Sequence, residues 1–281
     1  MKQRIVPISI PGIHESFWPF LTGRLGPDKS IRVLDAGAGH GAMTKRLHEQ
    51  GYDVYACDFR PEIFHFDKVE CRQGNLNEAL PYPDDSFDAI VAVEVLEHLL
   101  DHDHFFKECR RVLRPNGKLI ATTPNILSLK SRLRFLAGGF FYSFEPLRTE
   151  GDDGLQHVSG RTLDQYRYLA ERNGLAIREI DVDKYQTTSW VLLVLWPILW
   201  AYGRIRRIHH SGHNQWRLLL GRIMFVVFEK PVPVAPFSAG GPSGPRPDRV
   251  PSDTCAKRGS SCGSSPSDQT KPHHKSQGGK L

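Results

Sequence analysis

Residues 33–41 read Val33-Leu34-Asp35-Ala36-Gly37-Ala38-Gly39-His40-Gly41. An apolar run ends in an acid, and alternate glycines open into a helical stretch, 42–50, that stops at Gly51. Glycine at 37, 39 and 41 admits positive φ and lets a ligand approach the backbone closely. A strand–turn–helix of this kind suits a nucleotide-like cofactor. Gly37-Ala38-Gly39-His40-Gly41-Ala42 also satisfies the relaxed dinucleotide fingerprint. A second short apolar run, 53–58, ends in Asp58, 21 residues after Gly37. An acid there holds ribose hydroxyls of a nicotinamide or an adenosyl cofactor alike. The turn alone leaves both open, beside a plain βα turn with no ligand.

Outward from the turn, strands and helices alternate. Residues 69–73 form a weak third strand, and 87–93 (FDAIVAV) is a continuous apolar run expected of a strand buried on both faces. Residues 102–113 are amphipathic, Pro115-Asn116-Gly117 breaks the helix, and 118–123 is the next strand. A helix over 162–172 stops at Asn173-Gly174, and strands come after it over 176–182 and 222–229. Alternation of this kind predicts an α/β fold, a parallel sheet covered on both faces, with ligands outside the carboxyl ends of its strands.

The chain has 281 residues, 24% charged and 40% hydrophobic, enough to bury a core without disulfides or a structural metal. Net charge is +6, but seven cations against three acids lie beyond Pro231, so the rest is close to neutral and no nucleic-acid partner is expected. The five cysteines include no C-x-x-C pair, which fits reduced thiols and a cytoplasmic setting. No signal-peptide core and no apolar run of 18 residues is expected. Residues 1–30 are expected to form an N-terminal helical cap and 31–182 the core. Residues 222–230 form its last strand, and 231–281, rich in Pro, Gly and Ser, a disordered tail.

Three motifs further along the chain lift the ambiguity of the turn. Pro81-Tyr82-Pro83-Asp84-Asp85-Ser86-Phe87-Asp88 leads into the fourth strand; Glu94-Val95-Leu96-Glu97-His98-Leu99 and Leu113-Arg114-Pro115-Asn116-Gly117 come after it. With these motifs the chain resembles class I S-adenosylmethionine-dependent methyltransferases over roughly residues 32–229, most of all the ubiquinone-biosynthesis O-methyltransferase branch. The resemblance implies a Rossmann-like, doubly wound sheet of seven strands, mostly parallel, with an antiparallel last strand. It implies S-adenosyl-L-methionine as cofactor. Asp35, Gly37 and Gly39 would surround its methionine part, Asp58 its ribose and Asn75, where the family usually has Asp, its adenine. Glu94 would face the methyl donor.

Methyl transfer from a sulfonium is an in-line displacement, and positioning supplies most of the rate. A hydroxyl nucleophile gains from a base. His98 is the best single candidate, neutral imidazole being available near pH 7; alternatively it fixes the start of the next helix. Glu94, Glu97 and His98 form E-x-x-E-H, which in part of the resembled family supplies magnesium ligands; alternatively E-H here is a common helix-start signature without metal. His157 could complete such a site, touch substrate, or be an ordinary loop histidine.

Two insertions remain. Residues 124–160 mix apolar residues with Lys130, Arg132 and Arg134 and read as a lid or as a surface hairpin. Within 183–221, residues 190–202 (WVLLVLWPILWAY) are apolar around the whole helix and precede Arg204, Arg206 and Arg207. Thirteen such residues span about 20 Å, short of the roughly 30 Å hydrocarbon core. A monotopic hairpin on a membrane surface, a cap on the sheet, and a dimer interface are the alternatives. Together these features lean toward an O-methyltransferase acting on a lipid-linked, glycan or other small hydrophobic acceptor, in the cytoplasm or peripherally at the inner face of the membrane; the alternatives are an NAD(P)-dependent oxidoreductase using the same glycine turn and a non-catalytic cofactor-binding regulator.

Overall fold

Consecutive residues of a strand point to opposite faces, and the central strands use both faces for core. Leu34, Ile90 and Leu119 belong to one buried cluster, whereas their neighbours Val33, Val91 and Ile120 belong to the other. The computed structural model describes residues 5–151, 154–207 and 212–232. Its sheet contains β1 (Arg32–Ala36), β2 (Asp53–Asp58), β3 (Cys71–Gln73), β4 (Phe87–Val93), β5 (Leu113–Pro124), β6 (Ala176–Val182) and β7 (Ile223–Glu229). The order is β3-β2-β1-β4-β5-β7-β6. β1 to β5 pair in parallel; β7 enters antiparallel between β5 and β6. This is the seven-stranded arrangement the resemblance implied. It differs from the 3-2-1-4-5-6 order of the dinucleotide-binding fold.

Helices α1 (Ile13–Leu25) and α2 (Ala42–Glu49) cover one face, through Ile13, Phe17, Leu21 and Leu47. The N-terminal helix thus shares one face of the sheet with α2. The opposite face carries α3 (His102–Val112) and α5 (Leu163–Arg172), whose Phe105, Phe106 and Tyr166 pack with Phe228 and Val226. Asp101 caps α3 by accepting from His104 N–H, and Thr162 with Gln165 forms a capping box on α5. β5 begins directly at Leu113, so Pro115-Asn116-Gly117 lies in a register shift of the strand and not between helix and strand.

In the insertion after β5, α4 (Leu129–Gly138) is the one regular element among the described residues. Between β6 and β7 the chain forms α6 (Thr187–Leu192), a 3-10 turn (Leu193–Leu195), α7 (Trp196–Ile205) and α8 (Trp216–Leu220). Thr187–Ile205 make 19 residues of helix, long and apolar enough to cross a membrane by length and composition only. That corrects the expectation of a thirteen-residue segment too short to do so. Thr187 and Thr188 extend the helix at one end and Arg204 at the other, and Pro197, in the first turn of α7, leaves it unbroken. Packing of this segment as a cap on the sheet is not what the structure shows: only 11% of it is buried. The tail expected beyond Pro231 lies almost wholly outside the described residues.

Candidate functional site

A cavity of about 540 Å³ opens at the carboxyl ends of β1, β2 and β4, within the range of small-molecule sites. Asp35, Gly37, Gly39, Asp58, Asn75, Glu94, His98 and His157 all line it. The glycine turn hangs from β2, with Gly37 and Ala38 N–H donating to the Cys57 carbonyl at 2.9 and 3.1 Å. Gly37 has φ 78°, and a Cβ there would stand 2.6 Å from Val95 Cγ2. Only glycine meets both conditions.

Asp58 accepts from Gly39 N–H and Arg60 N–H, each at 2.8 Å, through different carboxylate oxygens. Each oxygen keeps a second lone pair for a hydroxyl. Asp35 is buried, accepts from Thr44 Oγ1, and is raised to about 6 by that burial. Asn75 works mainly inside its own turn: its amide donates to Glu78 and its oxygen accepts from Asn77 N–H. Glu94 sits at φ 52°, a left-handed conformation costly for a non-glycine residue. Its N–H donates to Thr122 Oγ1, its Oε2 accepts from Ile10 N–H at 2.6 Å, and its Oε1 is buried without a partner. Burial pushes this carboxyl up as well.

These groups fit S-adenosylmethionine. An acceptor stands at each of three strand ends, where the resemblance would place an ammonium, two hydroxyls and the sulfonium. At Gly37 the turn leaves no room for a side chain. Exposed Phe59 at the cavity edge offers an aromatic face to a base.

The loop side brings two imidazoles together. His98 Nδ1 lies 2.9 Å from the Gln156 carbonyl, which can only accept, so Nδ1 carries the proton and Nε2 is the basic nitrogen. The His157 ring meets that of His98 edge-to-face at 4.9 Å. Burial, and then the neighbouring His98, lower His157 to about 4, so it is neutral at pH 7.

Glu97 departs from expectation. It is fully buried, does not line the cavity, and accepts from Thr123 Oγ1, while its backbone carbonyl receives Val158 and Ser159 N–H. The expected metal set Glu94, Glu97 and His98 does not converge. The potential ligands that gather within 4.8 Å of one another are on Glu97, His98 and His157. A hard ion such as magnesium takes oxygen donors, and one buried carboxyl with two imidazoles does not fit it.

Sequence reasoning missed the strap. Pro7, Ile8, Ser9 and Ile10 line the cavity together with His14, which burial lowers to about 4. Val6 O lies 2.8 Å from His40 Nδ1, and Ile10 N–H reaches Glu94. No periodicity marks these residues; the apolar character of Ile8 and Ile10 ahead of a helix was the one available signal.

Comparison with known proteins agrees with this geometry. Residues 34–121 match the family described as "Methyltransferase domain". A Mycolicibacterium smegmatis protein named "Probable S-adenosylmethionine-dependent methyltransferase" is 40% identical over 128 residues, 42% of this chain and 49% of its own. Human mitochondrial ubiquinone biosynthesis O-methyltransferase is 31% identical over 166 residues, 55% of this chain and 44% of its own. The chain thus spans about half the length of the curated relatives it matches. A solved S-adenosylmethionine-dependent methyltransferase of Archaeoglobus fulgidus superposes with a TM-score of 0.51 at 18% identity, over 77% of this chain and 91% of that one, a likeness of fold. Glycine turn, acidic strand ends, strand order and relatives converge: the chain carries a class I S-adenosylmethionine-dependent methyltransferase domain.

Proposed function

We propose that the protein transfers the methyl group of S-adenosylmethionine to a hydroxyl oxygen of a small hydrophobic, glycan or lipid-linked acceptor. Bound along Asp35, Asp58 and Glu94, that cofactor supplies an electrophilic methyl on a sulfonium. His98 carries the oxygen-specific part of the proposal: its Nε2 accepts the hydroxyl proton as the oxygen–carbon bond forms and the sulfur–carbon bond breaks. His157, neutral beside it, orients the acceptor by hydrogen bonding and adds no positive charge near the sulfonium. The printed name of the human relative, an O-methyltransferase of ubiquinone biosynthesis, supports an oxygen on a hydrophobic molecule.

Titration calorimetry with S-adenosylhomocysteine and with reduced nicotinamide dinucleotide tests the cofactor; binding of the second alone would end the methyltransferase reading. Incubation with methyl-labelled cofactor and separate membrane and soluble extracts then identifies the acceptor. Label on an alkali-stable ether supports transfer to a hydroxyl, and label on carbon, nitrogen or a methyl ester refutes it.

A further inference from the structure

Along the helical run Thr187–Ile205, Val191, Val194, Ile198 and Ile205 are 69%, 75%, 68% and 79% exposed, and Trp190, Trp200 and Tyr202 about half. Large side chains exposed in this density on a folded domain mark an interaction surface. α4 packs against α6, with Lys130 N–H donating to Ser189 Oγ, and adds exposed Leu133 and Leu136.

The charge around this surface has one sign. From residue 184 to 222 the sequence holds Lys184, Arg204, Arg206, Arg207, Arg217 and Arg222 and no Asp or Glu. Arg217 pairs with Asp181 at the surface and Arg222 with buried Asp183. Arg204, Arg206 and Arg207 are exposed at the end of the apolar helix, and among the described residues none of them pairs with a carboxylate. Apolar helix, interfacial tryptophan and tyrosine, and unpaired arginines together match an anionic lipid surface. A second copy of the chain would bring the same cations against one another.

Topology decides how the helix meets the lipid. At 1.5 Å per residue, 19 residues reach about 28 Å, enough to span. Yet both ends of the arm return to one sheet edge. Asp183 N–H donates to Ile223, Tyr185 bridges to Gly221, and Gln186 N–H donates to Leu220. By His213 the chain is already back on the domain, its carbonyl and the Asn214 side chain accepting from Arg132. A spanning placement would force the chain between Ile205 and His213 to recross the hydrocarbon carrying Arg206 and Arg207. A bilayer core does not tolerate that.

We infer that the arm from 187 to 207 is a monotopic docking element that lies in one leaflet of an anionic membrane, its arginines at the headgroups. The inference is independent of the methyltransferase reading. Its consequence for that reading is that the acceptor is met at the membrane surface. α4 belongs to the same insertion as Gly154–Val158, which line the cavity, so one stretch of chain joins lipid-facing surface to pocket wall.

The test is flotation of the full chain with vesicles of phosphatidylcholine alone or mixed with phosphatidylglycerol. We expect flotation with the mixed vesicles, weakened but not abolished by high salt. Replacing Arg204, Arg206 and Arg207 together by Ser should lower partitioning onto them about 100-fold at low salt. V194D/I198D, at positions too exposed to support the core, should abolish it. Affinity for S-adenosylhomocysteine, measured on the same samples, should be unchanged in both variants; its absence in the wild type would count against the methyltransferase reading and leave the docking claim standing. Failure of the wild type to float overturns the proposal. So does concentration-dependent dimerisation that V194D/I198D removes without lipid. Resistance of bound protein to alkaline carbonate overturns the in-plane placement.

Discussion

The two walls of the cavity are made differently. On the strand side, Asp35, Asp58 and Glu94 stand at the ends of three strands in one continuous sheet, β1 pairing with both β2 and β4. On the loop side, the strap before α1, the 3-10 turn with His98 and the distal insertion with His157 come from stretches far apart in sequence. They are held by contacts such as Ile10 to Glu94 and His98 to Gln156. A wall made of strand ends has fixed spacing and suits an invariant cofactor. A wall made of loops changes shape without disturbing the sheet and suits an acceptor that differs between relatives.

The largest effect that would separate the walls is expected at Gly37. Gly37→Val puts a Cβ against Val95 at positive φ, and calorimetry should detect no S-adenosylhomocysteine binding while circular dichroism stays that of the wild type. Retained binding would show that the cofactor does not follow this turn. Next, His98→Asn should lower kcat by about 100-fold or more, the usual worth of a general base, with S-adenosylhomocysteine affinity unchanged. If affinity falls with it, the division into two walls is wrong.

Asp58→Ala should do the opposite. Affinity for S-adenosylhomocysteine falls by about 1.5–3 kcal/mol as charge-assisted bonds are lost, and kcat at saturating cofactor stays near wild type. The smallest effect concerns pH. Burial raises Asp35 to about 6, above its unfolded value near 4. The stability it contributes is therefore complete below pH about 4 and lost as pH rises through about 6. A ligand ammonium prefers the ionised form, so the thermal shift produced by S-adenosylhomocysteine should grow as pH rises through that value. A shift flat in pH would place the ammonium elsewhere.

Legibility in the sequence obeys the same division. The strand-end acids and the glycine turn are local signals: an apolar run names its own end, and positive φ is written as glycine. His98 was legible as a candidate because it comes soon after the fourth strand. Its partnership with His157 depends on a contact between residues 58 apart, and no local pattern announces that. Glu97 misled for the opposite reason. Adjacent to His98 and three residues from Glu94, it reads as a ligand, but the 3-10 turn Leu96–His98 rotates it into the core against Thr123. The apolar stretch 190–202 marks only the middle of the helical run from Thr187, because Thr187, Thr188 and Arg204 carry no apolar signal.

The neck of the arm also bears on how such a domain changes over time. Tyr185 and Gly221 close β6 against β7, and a Cβ on Gly221 would come within 2.5 Å of Val182, so the two strands are drawn tight where the arm leaves the sheet. Leu218, Leu219 and Leu220 stay in the body of the domain, and Asn125 holds the carbonyls of Leu218 and Gly221. The apolar helices up to Ile205 leave the sheet at that clasp, and by His213 the chain is back on the domain. Lengthening or trimming those helices would therefore leave the clasp, the sheet and the strand ends that line the cavity in place.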